Sequence, residues 1–156
     1  AGGLDPDFFP HMEEIDLCWR LKNLGYKVIY CPSAEVYHVG GGTLNSNNPY
    51  KTYLNFKNNL VIMQKNLPLN DAYSRIFIRM CIDFVAWAHF LLQGKAAFAW
   101  AVNKAHYDFL SNLSKNGAKR TGRQIDFLTH SGQYASSIVW AYFIKKVRFF
   151  SQLRKS

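Results

Sequence analysis

The segment that most restricts this chain runs from Ile76 to Leu92, IFIRMCIDFVAWAHFLL. It is too long for an ordinary strand and too apolar for an isolated surface helix. Arg79, Asp83 and His89 interrupt it, so it holds no run of about 18 uncharged apolar residues, and a span centred in a bilayer is not favoured. Arg75, Arg79 and Asp83 recur every four residues, which puts them on one face of a helix and leaves a broad apolar remainder. A helix lying in a membrane plane, or packed in a bundle, reconciles the two: the apolar face is covered while the charged groups reach water or headgroups.

Charge is divided unevenly. Residues 1–38 carry six acids against three bases, whereas residues 39–156 carry sixteen bases against four acids, so the net charge of +9 belongs to the later part. A basic, aromatic tail suits an anionic membrane surface or a nucleic acid on charge alone. The second partner loses ground because the chain has no zinc-ligand spacing, helix-turn-helix signature or aromatic RNA-binding pattern, and no nucleic-acid partner is expected. With 16% aromatic residues, the chain holds more large apolar surface than a simple soluble monomer needs, which favours association, a homo-oligomer included. Cys18, Cys31 and Cys81 have no CxxC spacing and cannot close a disulfide framework, which points to a reduced compartment. The first seven residues lack the basic-then-apolar order of a signal peptide.

Helical spacing of Ile15, Leu17, Cys18, Leu21 and Leu24 predicts a helix over Glu13–Leu24, with Gly25 as its stop. KVIYC (27–31) and EVYHV (35–39) read as two short strands around the turn Pro32-Ser33. After the polar, glycine-rich stretch to Pro49, helical spacing returns over Tyr50–Gln64, Ile76–Leu92 and roughly Ala96–Leu113. Residues 115–123 read as a basic linker and Ser136–Leu153 as a final amphipathic helix. One helix and two strands cannot enclose a sheet core, so the expected class is an α/β fragment, residues 1–66, followed by a mainly helical, basic and aromatic extension, residues 67–156.

Chemistry gathers in the acidic first part. Glu13, Glu14 and Asp16 at a helix start fit simple stabilisation by the free N–H groups and helix dipole, and equally fit a general base whose proton affinity is raised by like charge and desolvation. Glu13 and Glu14 point about 100° apart on a helix, so only one of them can face a given atom. Asp16 and Arg20 form an i, i+4 pair that can orient this cluster or an anionic substrate group. His38, followed by Val39 and Gly40-Gly41-Gly42, could ligate a divalent metal or contact a phosphate where glycines permit close backbone approach; the run is neither GxGxxG nor a Walker A motif.

In order, Gly2-Gly3-Leu4-Asp5-Pro6-Asp7-Phe8-Phe9, Met12-Glu13-Glu14-Ile15-Asp16-Leu17-Cys18-Trp19-Arg20, Gly25-Tyr26-Lys27 and Tyr37-His38-Val39-Gly40-Gly41-Gly42-Thr43 resemble the later part of inverting family-2 glycosyltransferases of the GT-A fold, especially bacterial enzymes that build surface polysaccharide. The resemblance covers about residues 1–66. It implies a nucleotide-diphosphate sugar as donor and a saccharide or lipid-linked saccharide as acceptor. It also implies Mg²⁺ or Mn²⁺ near His38, with Gly40, Gly41 and Gly42 on the cofactor side. Glu14 inherits the role of base, Glu13 stands beside it, and Asp16 and Arg20 support the motif. The family's nucleotide-binding half and Asp-x-Asp motif do not precede Ala1, so the resemblance implies a C-terminal fragment, inactive alone, of an enzyme on the cytoplasmic face of the cell membrane. A membrane-associated helical interaction domain without enzyme activity is the alternative.

Overall fold

The structure is a computed structural model that describes residues 1–8, 11–37, 47–120, 124–125, 134 and 136–153, without the side chain of residue 139. Its elements are helical: α1 (Glu13–Asn23), α2 (Pro49–Asn66), α3 (Leu69–Leu92), α4 (Ala96–Ser111), α5 (Leu113–Ala118) and α6 (Ile138–Phe143), with 3₁₀ turns at Pro6–Phe8 and Phe150–Gln152. Residues 1–124 form one compact unit and residues 125–156 a second.

The expected α/β class is therefore wrong for the described residues, which contain no strand. Residues 27–31 and 35–37 have no regular secondary structure and are exposed, with Ile29, Tyr30, Val36 and Tyr37 all more than four-fifths accessible. β-branched and aromatic residues favour a pleated surface only when a neighbouring backbone supplies the ladder, and no described segment does so. Residues 38–39 of the second expected strand lie outside the described residues.

In the first unit, local signals set the helix ends. The Asn48 side chain accepts from the Tyr50 N–H at 2.9 Å and Pro49 takes the first helical position, which starts α2. Pro68 follows immediately after Leu67 and separates α2 from α3. Helices α1 and α3 end alike. Gly25 (φ 89°) and Gly94 (φ 71°) adopt the left-handed conformation after the last turn, and the next residues, Tyr26 and Lys95, donate back to the Leu21 and Phe90 carbonyls at 3.0 and 2.9 Å.

Helix α2 packs against α1, α3, α4 and α5, and α3 packs on α4. Its Leu54, Leu60, Val61 and Ile62 are buried, as are Ala72 and Ile76 of α3 and Ala99, Ala101, Val102, Ala105 and Phe109 of α4. Three alanines on α4 let the helices approach closely, and each large core side chain contributes roughly 1.5–3 kcal/mol by leaving water.

The second unit is small. The expected helix over 136–153 is shortened to Ile138–Phe143, capped by the Ser137 hydroxyl accepting from the Trp140 N–H at 3.2 Å. Beyond it Lys146 takes φ 57°, a left-handed conformation that a continuing helix cannot hold. Trp140, Phe143, Phe149 and Phe150 are exposed.

Candidate functional site

Helix α1 is locked to the rest of its unit by charge. Asp16 is fully buried, and its Oδ2 accepts from Arg20 Nε at 2.8 Å and Lys65 Nζ at 2.8 Å while its Oδ1 accepts from Asn66 Nδ2 at 2.9 Å. Arg20 also donates to the carbonyls of Ala1 and, at 2.7 Å, Gly3, which draws the N-terminal segment onto α1. Lys65 donates further to Asp5 at 2.9 Å, and Lys119 donates to Asp5 at 2.8 Å and Asp7 at 2.7 Å. Lys115 pairs with Asp7 at 3.0 Å. The chain of charges therefore joins the N-terminal segment, α1, α2, α5 and the residue after α5.

The electrostatics follow from this chain. Burial pushes the Asp5 carboxyl up, but the hydrogen bonds from Lys119 and Lys65 outweigh it and hold Asp5 well below the usual carboxylate range. Lys119 and then Lys115 hold Asp7 down as well. Burial pushes the Lys119 ammonium down, and Asp5 and Asp7 more than reverse that.

At the N-terminus of α1, Met12 precedes the acidic pair with φ 74°, a strained conformation for a residue with a side chain. One carboxylate oxygen of Glu13, Oε2, is buried without a hydrogen-bond partner among the described residues. Glu14 is exposed. Both profit from the helix dipole, and Glu14 is the more open of the two to a molecule arriving from solvent.

A second feature lies in the same unit. A cleft of about 380 Å³ is bordered by Phe8, Tyr53, Asn58, Asp108, Phe109 and Asn116, with Asp7, Lys57, Lys115 and Lys119 also lining it. The Tyr53 hydroxyl donates to Asp108 at 2.7 Å, and Lys104 reaches the same carboxylate at 2.6 Å. Burial and the Asp108 carboxylate push the Tyr53 phenol up, while Lys104 and then Tyr53 hold Asp108 down. Glu13, Glu14, Asp16 and Arg20 do not line this cleft.

A stretch of 38 residues of this chain is 47% identical to N-acetylglucosaminyl-diphospho-decaprenol L-rhamnosyltransferase of Mycobacterium tuberculosis, in strains CDC 1551 / Oshkosh and ATCC 25618 / H37Rv alike. The similarity is to a glycosyltransferase. It covers 24% of this chain and 12% of the mycobacterial protein. No family model matches, and no solved structure matches.

The structure brings Asp16 and Arg20 together and sets Glu13 and Glu14 one turn away at the head of the same helix. His38 and Gly40, Gly41 and Gly42 lie outside the described residues. Among the described residues no three His, Cys, Asp or Glu side chains gather as a metal site would require. Lys65 and Asn66 were not legible as partners of Asp16, nor Asn58 as a partner of the Phe8 and His11 carbonyls before α1. A signal did exist: Asn55, Asn58, Asn59 and Asn66 stand within the 18 residues of α2, and asparagine is a poor helix former that is retained where its amide has polar work to do.

Proposed function

We propose that this chain is the acceptor-side, C-terminal portion of an inverting glycosyltransferase that moves a sugar from a nucleotide-diphosphate donor to a saccharide or lipid-linked saccharide, with Glu14 as the base. The observation that carries the reading is an open carboxylate on an immobilised helix: Glu14 is exposed at the head of α1, and the buried Asp16–Arg20–Lys65 pairs fix that helix in place. The similarity to a rhamnosyltransferase supports it. In the proposed step Glu14 takes the proton of an acceptor hydroxyl as that oxygen bonds to the anomeric carbon, while the bond from that carbon to the donor's diphosphate breaks on the opposite face, inverting the configuration. Mg²⁺ or Mn²⁺ belongs to the reading only through His38, and no step is routed through the ion.

In the full-length enzyme, Glu14→Gln should lower turnover by about 10²-fold or more, with donor binding and melting temperature little changed. Near-normal turnover would overturn the assignment.

A second reading, a membrane-associated helical domain, is favoured by α3. Asp83 is 1% exposed and faces inward, bound by Arg79 at 2.6 Å and His106 at 3.1 Å, while Phe77, Ile78, Ile82, Phe84, Val85 and Leu92 face outward. Charge inside and apolar groups outside reverse the arrangement of a helix that meets water. No helix among the described residues is long and apolar enough to cross a membrane. The reading is therefore of a helix lying on an anionic membrane surface, which would hold a transferase beside a lipid-linked acceptor on the cytoplasmic face.

A further inference from the structure

The second unit inverts the usual order of burial. Local bonds hold it together: the Ile144 and Lys145 N–H groups donate to the Trp140 carbonyl at 3.0 and 3.1 Å, and the Val147 N–H donates to the Ala141 carbonyl at 3.0 Å. The Gln152 side chain accepts from the Arg148 and Phe149 N–H groups at 3.1 and 3.3 Å. What this arrangement buries is a small side chain, Ala141, 2% exposed. Ile138, Trp140, Phe143, Ile144, Phe149 and Phe150 are left between 55% and 77% exposed. Single apolar residues are ordinary on a protein surface, whereas six large ones in so short a stretch make a patch that water disfavours.

Charge says what such a patch meets. Lys145, Lys146 and Arg148 are exposed in the same stretch, and no acid stands among the described residues of the unit. The Arg148 guanidinium lies 4.5 Å from the centroid of the Tyr142 ring, so a cation stands against the aromatic set. A second copy docked through this patch would bring like charges together. A nucleic acid rewards cations and aromatic rings but offers the aliphatic Ile138 and Ile144 nothing to stack on. An anionic bilayer surface takes all three kinds of side chain, the rings and aliphatic groups at the headgroup–acyl boundary and the cations among the headgroups.

We propose that this apolar and basic set is a membrane-surface anchor for anionic lipid. It adds a second contact to the membrane reading of α3 and rests on other residues, whether or not the chain takes part in glycosyl transfer. Two contacts hold a peripheral protein where one attaches it only reversibly.

Quenching of tryptophan fluorescence by bromine on the lipid chains tests the anchor in the 156-residue chain, with vesicles of equal parts phosphatidylserine and phosphatidylcholine. Trp140 is the one tryptophan of residues 125–156, so the difference between wild type and Trp140→Phe isolates its emission and keeps an apolar ring in place. At low salt that emission should lose about half or more of its intensity, as expected of a ring at the headgroup–acyl boundary. Lys145→Gln combined with Lys146→Gln should weaken vesicle binding by about tenfold or more at low salt and far less at high salt, where the leaflet's charge is screened. Both lysines are exposed, so a thermal melt should show the fold unchanged. Unquenched Trp140 beside quenched tryptophans of the first unit overturns the anchor and leaves the α3 reading standing. Quenched Trp140 beside unquenched tryptophans of the first unit upholds the anchor and removes α3 from the membrane. Equal binding to phosphatidylcholine alone, or equal binding by wild type and the lysine variant, overturns the anionic surface as partner. Tighter binding to single-stranded poly-deoxythymidine than to the vesicles, read by the same emission, overturns lipid in favour of nucleic acid.

Discussion

Helices α1 and α3 both bury a carboxylate, and they leave opposite surfaces behind. Asp16 of α1 sits among Arg20, Lys65 and Asn66, and the exposed residues of α1 are Glu14 and Ile15. Asp83 of α3 is held by Arg79 and His106, and the exposed side of α3 from Phe77 to Leu92 is almost wholly apolar. Buried charge in α1 joins segments distant in sequence, since Lys65 is 49 residues from Asp16 and Asn66 is 50. Buried charge in α3 instead keeps Asp83 off an outer face whose exposed residues from Phe77 to Leu92 are, His89 apart, mostly apolar. The same device, an i, i+4 Arg–Asp pair, is a structural clamp in one place and a means of presenting an apolar surface in the other.

Breaking the two clamps should expose that difference at its largest. Asp16→Ala leaves Arg20 and Lys65, both nearly inaccessible, without their shared anion, and should cost about 3–5 kcal/mol in chemical denaturation. Asp83→Ala leaves Arg79 and His106, whose side chains are 34% and 19% exposed and can turn toward water, and should cost about 1–3 kcal/mol. Equal losses would mean that the Asp16 cluster is no more deeply coupled than the triad on α3.

How far these regions were legible depended on whether the signal was local. Helix existence and the stop at Gly25 followed from spacing and a left-handed cap, both of which act within a few residues. The strand expectation fails at 27–31 and 35–37 because strand propensity is realised only through a partner backbone, which those residues cannot themselves encode. Asp16 with Arg20 was visible as an i, i+4 pair, but Lys65, Asn66 and Lys119 joined it through tertiary packing. The inward turn of Arg79 and Asp83 was half legible: their spacing placed them on one face, and only the packing of α2 and α4 shows that this face is the buried one.

Acid and alkali should affect the α1 side through its periphery. Asp5 and Asp7 are held below their ordinary value of 3.8, so their contribution to stability is complete above that value and is lost as pH falls through their lower folded values. Lys119 is raised above 10.5, so its contribution is complete below that value and is lost as pH rises through its higher folded value. The melting temperature should therefore fall on acidification below about pH 4. Lys119→Met should make the acid limb shallower, because it removes the cation that holds both aspartates down. An unchanged acid limb in that variant would show that Asp5 and Asp7 do not depend on Lys119.

The smallest effect on folding should accompany a large effect on location. Phe77 and Val85 are each 68% exposed on the outer face of α3, so replacing both with glutamate removes little packing and should change stability by about 0.5 kcal/mol or less per site. The same double substitution sets two anions on the face proposed to meet lipid. Inserting an apolar side chain of this size is worth roughly 1.5–3 kcal/mol, and anionic headgroups would repel the new carboxylates. In flotation with phosphatidylserine-containing vesicles, the wild-type chain should rise with the lipid at low salt and less so at high salt, while the variant should remain at the bottom. If both float alike, this face does not touch the membrane. If neither floats and the substitutions instead dissociate a dimer in sedimentation, the apolar face is covered by a second copy, and the inward charge of α3 serves an oligomer interface.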